Sequence, residues 1–443
     1  MRNATRGRGR LLNRWVLCGV LFAALLSIAA PSRAEESELE ERRSAVQRNQ
    51  NDPRARLEYG RALLGAGRAG EAIVELRRGI GMWSARGGEI ALDLHWELAR
   101  AHLARHENGQ AIVRCQIVRD KPGGGAFGRA CSAEAWLSSL RASESHTEIK
   151  EARKFTDIPA RVDYSLHTSE GIAYALELKY QEAEAALEAA IKIDPEAVAA
   201  HIALGRLLVQ EGKDGSAHLR RAVELAPNNA DALFELARTL PRGPEATALL
   251  NRAVVERPTF AAAHRLIATI ELAAGHLAPA KKAAETALRI DPTDIASHLV
   301  MGDVALAENR LDDALREGQA AIALVANSAA ARQLMADAYA KKGEIDLALE
   351  NYQAAYGGDH SNPASLVNAS VACLAAGRPT SAKAFGEKAT QEFPDWGPAW
   401  VAFGDSLVAN QDTAGARNAY GRARRAQGPV DQAALERKIA SLK

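Results

Sequence analysis

Large rings are scarce in this chain: 8 Phe, 8 Tyr and 6 Trp make 5% of 443 residues. Ala and Leu supply most of the apolar bulk instead, and Ala-rich sequence favours helix because Ala loses no side-chain entropy on entering one. Beyond the N-terminal segment there is no run of alternating β-branched residues that would demand a sheet. Catalytic signatures are missing too. There is no Gly-x-Ser-x-Gly elbow, no phosphate loop ending in Gly-Lys-Ser/Thr, no His-Glu-x-x-His and no Cys-x-x-Cys. Gly123-Gly124-Gly125 lacks the strand–helix context of a nucleotide site, and the carboxylates scattered over helix faces read as solvated charges. These absences point to an all-α protein without cofactor or catalytic centre.

Charge of one sign is concentrated only at the start. Arg2, Arg6, Arg8, Arg10 and Arg14 precede an apolar stretch from Trp15 to Ala30, and Ser32-Arg33-Ala34 places small residues before the acidic Glu35. This pattern predicts a secretory signal over residues 1–34, cleaved after Ala34, and hence export to a bacterial periplasm or envelope. The alternative is an uncleaved membrane anchor. Six of the 56 basic residues lie in this leader, which leaves 50 against 55 acidic residues and a mature net charge of −5. A mildly acidic chain is a poor nucleic-acid binder.

Small residues recur in phase. Ala246, Ala280, Ala314, Ala348, Ala382 and Ala416 are each 34 residues apart, as are Ala268, Gly302, Ala336, Ser370 and Gly404. Ala253, Ala287, Ala321, Ala355, Ala389 and Ala423 keep the same step. Within one period, Ile295–Ser328, apolar or small positions at three- and four-residue spacing flank a turn at Glu308-Asn309-Arg310, so each period is two amphipathic helices. Gly67, Gly212, Gly275, Gly343 and Gly377 stand where the first helix stops. Asp194-Pro195 and Asp291-Pro292 close the second, since Pro cannot continue a helix.

The last period has Trp400, Phe403-Gly404 and Leu407, then Ala416, Tyr420 and Ala423. The one from Tyr164 has Gly171, Tyr174, Tyr180, Ala183, Leu187, Ala190 and Pro195. This resembles the tetratricopeptide repeat, with units starting near residues 53, 92, 164, 198, 230, 261, 295, 329, 363 and 397. The resemblance implies a right-handed superhelical solenoid of about ten to eleven hairpins. Residues 35–52 would form an N-terminal capping helix, 53–125 the first two units, 164–428 eight more, and 429–443 a C-terminal capping helix. Residues 126–163 fit the pattern weakly and read as a degenerate unit or a linker. The units at 198 and 230 are short.

The resemblance also orders the candidate site residues. Cys115 and Cys131 fall on adjacent helices of an exported chain, which predicts a disulfide; the alternative is two buried thiols. Cys373 has no evident partner. His95, His102 and His106 share a helix face, but His95, His167, His201, His264 and His298 all occupy the fourth unit position. That recurrence indicates packing by a flat ring rather than a metal site. The family's concave groove is lined by the fifth and ninth positions, among others. The fifth include Trp96 and Phe234; the ninth include Arg61, Arg100, Arg206 and Arg238, then Asp303, Asp337 and Asp405. Apolar anchors with Arg toward one end and Asp toward the other suit a protein or peptide partner whose direction is read by charge; the alternative is that these Arg and Asp residues pair with neighbours or sit in water. No unit has the Asn at position nine that the family's carboxylate-gripping clamps use. The expected function is an envelope adaptor or scaffold. The alternatives are a self-associating structural protein and a non-catalytic subunit of an enzyme complex.

Overall fold

The structure is a computed structural model that describes residues 33–442, apart from 66–67, 84–88 and 106. The leader, Gly67 and His106 therefore lie outside the described residues, save for Arg33 and Ala34, which begin the first helix. The described residues are helical throughout and contain no β-strand. They divide into two compact units with the boundary at Ala263/His264.

In the first unit α1 (Arg33–Arg48) precedes six hairpins. These are α2 (Pro53–Gly65) with α3 (Ala69–Trp83), α4 (Glu89–Ala104) with α5 (Asn108–Arg119), and α6 (Gly125–Ser138) with α7 (Ala142–Ala152). They continue with α8 (Ala160–Leu176) and α9 (Tyr180–Ile193), α10 (Val198–Gln210) and α11 (Ser216–Leu225), and α12 (Ala230–Thr239) and α13 (Pro244–Glu256). Residues 125–152 thus form a hairpin of their own. Each first helix touches its own second helix and the first helices of the flanking hairpins, so α2, α4, α6, α8, α10 and α12 make one wall.

The second unit repeats the plan. It runs through α14 (Ala261–Ala273), α15 (Leu277–Ile290), α16 (Ile295–Ala307), α17 (Leu311–Leu324), α18 (Ala329–Lys342) and α19 (Ile345–Gly358). It continues through α20 (Ala364–Ala375), α21 (Pro379–Glu392), α22 (Gly397–Ala409) and α23 (Thr413–Ala423) to a terminal α24 (Gln432–Ser441). Here α16, α18, α20 and α22 form the wall.

Local chemistry sets the helix ends. Asn229 accepts from the backbone N–H groups of Asp231 and Ala232, Ser328 from Ala331, and Asp412 from Gly415, each capping donors that the helix leaves orphaned. Pro244 and Pro379 occupy first turns, where their missing N–H is not needed. Eight of the described turns between paired helices hold a left-handed residue. Gly212, Gly275, Gly343 and Gly377 supply it at φ +68 to +80°, whereas Leu140, Leu178, Asn309 and Gln411 adopt it with a side chain.

Packing explains the periodic small residues. A Cβ on Gly404 would lie 2.4 Å from the Tyr420 ring, and one on Gly171 would lie 2.5 Å from Leu187. These glycines let the two helices of a hairpin close on each other. The core is a string of separate clusters at successive junctions. One gathers Leu63, Leu76, Leu94 and Leu98; another gathers Phe127, Cys131, Ile149 and Leu166.

In that second cluster Cys115 of α5 and Cys131 of α6 are disulfide-bonded, with Cα atoms 5.3 Å apart and both residues buried. Gly128 admits the close approach: a Cβ there would sit 2.3 Å from the backbone nitrogen of Arg119. Cys373 is a buried free thiol whose pKa is raised by burial.

Candidate functional site

The helical wall of the first unit encloses an open cleft of about 780 Å³. Arg61 and Leu64 of α2, Trp96 and Arg100 of α4, Glu134 of α6, Arg161 and Tyr164 of α8, and Val198 of α10 line it. Residues far apart in sequence meet here because each first helix presents the same face to the same side.

Its polar groups form chains that run across the helices. Arg61 Nε donates to Glu97 Oε1 at 3.1 Å, and Arg100 approaches the other oxygen of Glu97 at 3.3 Å. Arg61 also lies 3.5 Å from Asp93, whose second oxygen pairs with Arg161. Burial works against the Arg61 charge, but Glu97, Asp93 and Glu58 outweigh it and raise its pKa. Deeper in, Glu134 accepts from Trp96 Nε1 at 3.2 Å and from the Ser165 hydroxyl at 2.6 Å. Trp96 meets Phe127 edge-on with centroids 5.4 Å apart, and the Arg161 guanidinium sits 4.8 Å from the Phe127 centroid.

The Arg–Glu–Arg arrangement recurs further along the wall. Arg206 lies 3.2 Å from Glu235, which Arg238 contacts at 2.7 Å. Glu97 and Glu235 both occupy the sixth unit position, directly after units carrying Arg at the ninth. That recurrence is the signal in the sequence that could have revealed the pairing. Two of the candidate groove residues here offer little surface: the Arg206 side chain is 8% exposed and Phe234 is 4% exposed. Phe234 packs on Phe260 with centroids 4.7 Å apart, so it serves the core. Arg238 remains largely exposed.

The ninth-position aspartates of the second unit do something different. Tyr352 donates to Asp337 at 2.6 Å and Tyr420 to Asp405 at 2.7 Å, each Tyr 15 residues after its Asp. Burial and then the neighbouring carboxylate raise both phenols, so neither ionises at neutral pH. Asn368 and Gln333 add bonds to Asp337, and Lys438 of α24 pairs with Asp405. Gly318 stands where the corresponding Tyr would follow Asp303. Desolvation and the nearby Asp337 raise the Asp303 carboxyl to about 6.

The fourth-position histidines are embedded in packing. His201 Nε2 is 3.2 Å from the Pro195 carbonyl and His298 Nε2 is 3.0 Å from that of Pro292. His102 is buried with Nδ1 2.6 Å from Glu107. Among the described residues no three His, Cys, Asp or Glu side chains are grouped to hold a metal ion. No described helix is long and apolar enough to cross a membrane.

Stacked helical hairpins whose first helices make a lined wall define an α-helical repeat protein. The family model described as tetratricopeptide repeat matches residues 170–217 and 334–395. Those two segments are tetratricopeptide repeats, and the helical hairpins on either side of them follow the same two-helix plan. Comparison with curated protein sequences finds no match.

Among solved structures, yeast Tom70 is 12% identical with a TM-score of 0.44, over 93% of this chain and 92% of that one. The APC/C hetero-tetramer Cut9-Hcn1 is 13% identical with a TM-score of 0.42, over 87% and 89%. A tetratricopeptide repeat protein from Parabacteroides merdae is 15% identical with a TM-score of 0.38, over 63% and 98%. The repeat fold suggests a scaffold for protein–protein interaction.

Proposed function

We propose that this chain is an exported, non-catalytic scaffold of the cell envelope that holds a segment of a partner protein in the concave cleft of its first unit. The observation that carries the reading is the cleft itself. It is open, about 780 Å³ in volume, and lined by the first helices of successive hairpins with both apolar and charged groups. That is a surface an extended or helical segment can lie along. Export draws on the Arg-rich leader, and a buried disulfide suits an oxidising compartment.

The test is site-specific photo-cross-linking in cells of the source organism. A photoreactive residue would replace Leu64 or Ala199 in the cleft, or Val74 on the exposed side of the second helix α3. Adducts from the two cleft positions and none from Val74, in the envelope fraction, would support the reading. Adducts from Val74 alone, or protein confined to the cytoplasmic fraction, would overturn it.

A further inference from the structure

In four hairpins the fourth unit position of the first helix is joined to the residue 19 positions on, in the second helix. Arg129 donates to Glu148 at 2.9 Å, and His298 Nδ1 lies 2.7 Å from Glu317. Arg332 donates to the side-chain oxygen of Asn351 at 3.2 Å, and Arg56 pairs with Glu75. Each time a nitrogen on the first helix meets an oxygen acceptor on the second.

The hairpin of α4 and α5 lacks that acceptor. Its fourth position is His95, and the equivalent place on α5 is held by Arg114, a second donor. Among the described residues, His95 Nδ1 and Arg114 Nε are both buried atoms without a hydrogen-bond partner. His95 as a whole is 6% exposed. Lys121 and Arg114 are the charges that act on its ring, and Arg77 of α3 is the charge that acts on Arg114. The acids of α3 and those flanking α5 are already engaged. Glu75 is held by Arg56 and Arg78, Glu71 by Arg68, Glu107 by His102 and Arg105, and the exposed Asp120 lies 3.6 Å from Arg119. Buried donors are normally satisfied, and here two stand unsatisfied among cations, so the group missing from the junction is an anionic acceptor.

We infer that this junction binds a phosphate-type oxyanion, one oxygen taking the place between His95 and Arg114 that Glu148 or Glu317 fills in other hairpins, with Arg77 and Lys121 adding positive charge. Arg77 is exposed, and Arg114 and Lys121 are half-buried, so an ion reaches the ring past side chains that face solvent. Three cations suit a doubly charged oxyanion better than a single carboxylate. An anion beside Nδ1 favours the imidazolium and draws the ring upward from its pKa of about 4. None of these residues lines the cleft, so the site stands independently of the partner reading.

The experiment titrates the protein with inorganic phosphate, phenyl phosphate and acetate at matched ionic strength, by calorimetry and by thermal melting. Phosphate should bind saturably and raise the melting temperature, and acetate should do neither to the same degree. Phenyl phosphate binding alongside phosphate assigns the site to an esterified phosphate; inorganic phosphate alone assigns it to the free ion. Arg114→Gln should weaken binding about tenfold, the scale of a lost charge-assisted hydrogen bond. Arg114→Glu returns an acceptor to the chain itself, so this variant should melt no lower than the parent and become indifferent to phosphate. If it fails to fold, Arg114→Gln still decides. Nuclear magnetic resonance of the ring should show the His95 titration moving upward in phosphate. A folded parent that ignores phosphate, equal binding of acetate, or phosphate binding unchanged in folded Arg114→Gln or Arg114→Glu, which would mean an adventitious ion only, would overturn the inference.

Discussion

Trp400 donates its indole N–H to the carbonyl oxygen of Pro394, 2.7 Å away. His201 and His298 stand in the same fourth unit position and place Nε2 at 3.2 Å and 3.0 Å from the carbonyls of Pro195 and Pro292, again six residues earlier. A histidine can stand where the last unit has Trp400 because each offers one ring N–H at the same reach. Trp400→Phe keeps a ring and loses the donor, and should cost about 1 kcal/mol. Amide exchange in α22 should accelerate correspondingly. Unchanged exchange there would mean the bond contributes nothing.

Leu178 occupies the left-handed position between α8 and α9 at φ +62°, where other turns use glycine. A side chain there costs roughly 1–2 kcal/mol, and Leu178 is exposed enough to lose little packing. Leu178→Gly should therefore raise the midpoint of chemical denaturation. A lower midpoint would show that Leu178 packing outweighs the backbone strain.

Gly404→Val places carbon against a tyrosine that cannot step aside, because Tyr420 is 2% exposed and its hydroxyl is bonded to Asp405. Overpacking of this kind costs about 1–3 kcal/mol or more. The loss should register in denaturation of the second unit. A Val variant as stable as the parent would show that α22 and α23 separate freely.

The Cys115–Cys131 bond closes a loop of 16 residues within the hairpins α4–α7. Reducing it, or the pair C115S/C131S, should lower stability by about 3 kcal/mol on the loop-entropy model. Melting with and without reductant checks this, and Cys373 should be the thiol of residues 35–443 that reacts in denatured, unreduced protein. A second and third reactive thiol there would show the bond is absent.

His95 is buried, and burial followed by Lys121 and Arg114 lowers its pKa to about 4. The unfolded chain takes up this proton near pH 6.5, so the neutral ring stabilises the fold above that pH. The contribution fades as pH falls toward 4, by roughly 3 kcal/mol in full. Asp303 runs the other way: its carboxyl is raised to about 6, so its effect favours the fold at low pH and is lost as pH rises through 6. His95→Phe should lose less stability than the parent between pH 7 and 4.5, measured by urea titration at each pH. An equal loss would assign the acid sensitivity elsewhere.

The sequence by itself determined the 34-residue period, the paired helices and the small residues where they cross. These are consequences of helix geometry, which repeats locally and leaves its spacing in the chain. The fourth-position rings and the neighbouring placement of Cys115 and Cys131 followed from the same register. Only the tertiary structure decided what the ninth-position charges do. Arg61 finds Glu97, 36 residues on, and Arg206 finds Glu235 because α2 and α4, or α10 and α12, pack side by side with a particular offset. Asp337 and Asp405 take up tyrosines from their own second helices. Periodicity assigns a residue to a face; which group it meets there depends on how far one hairpin slides and turns against the next, and no single-helix pattern carries that distance.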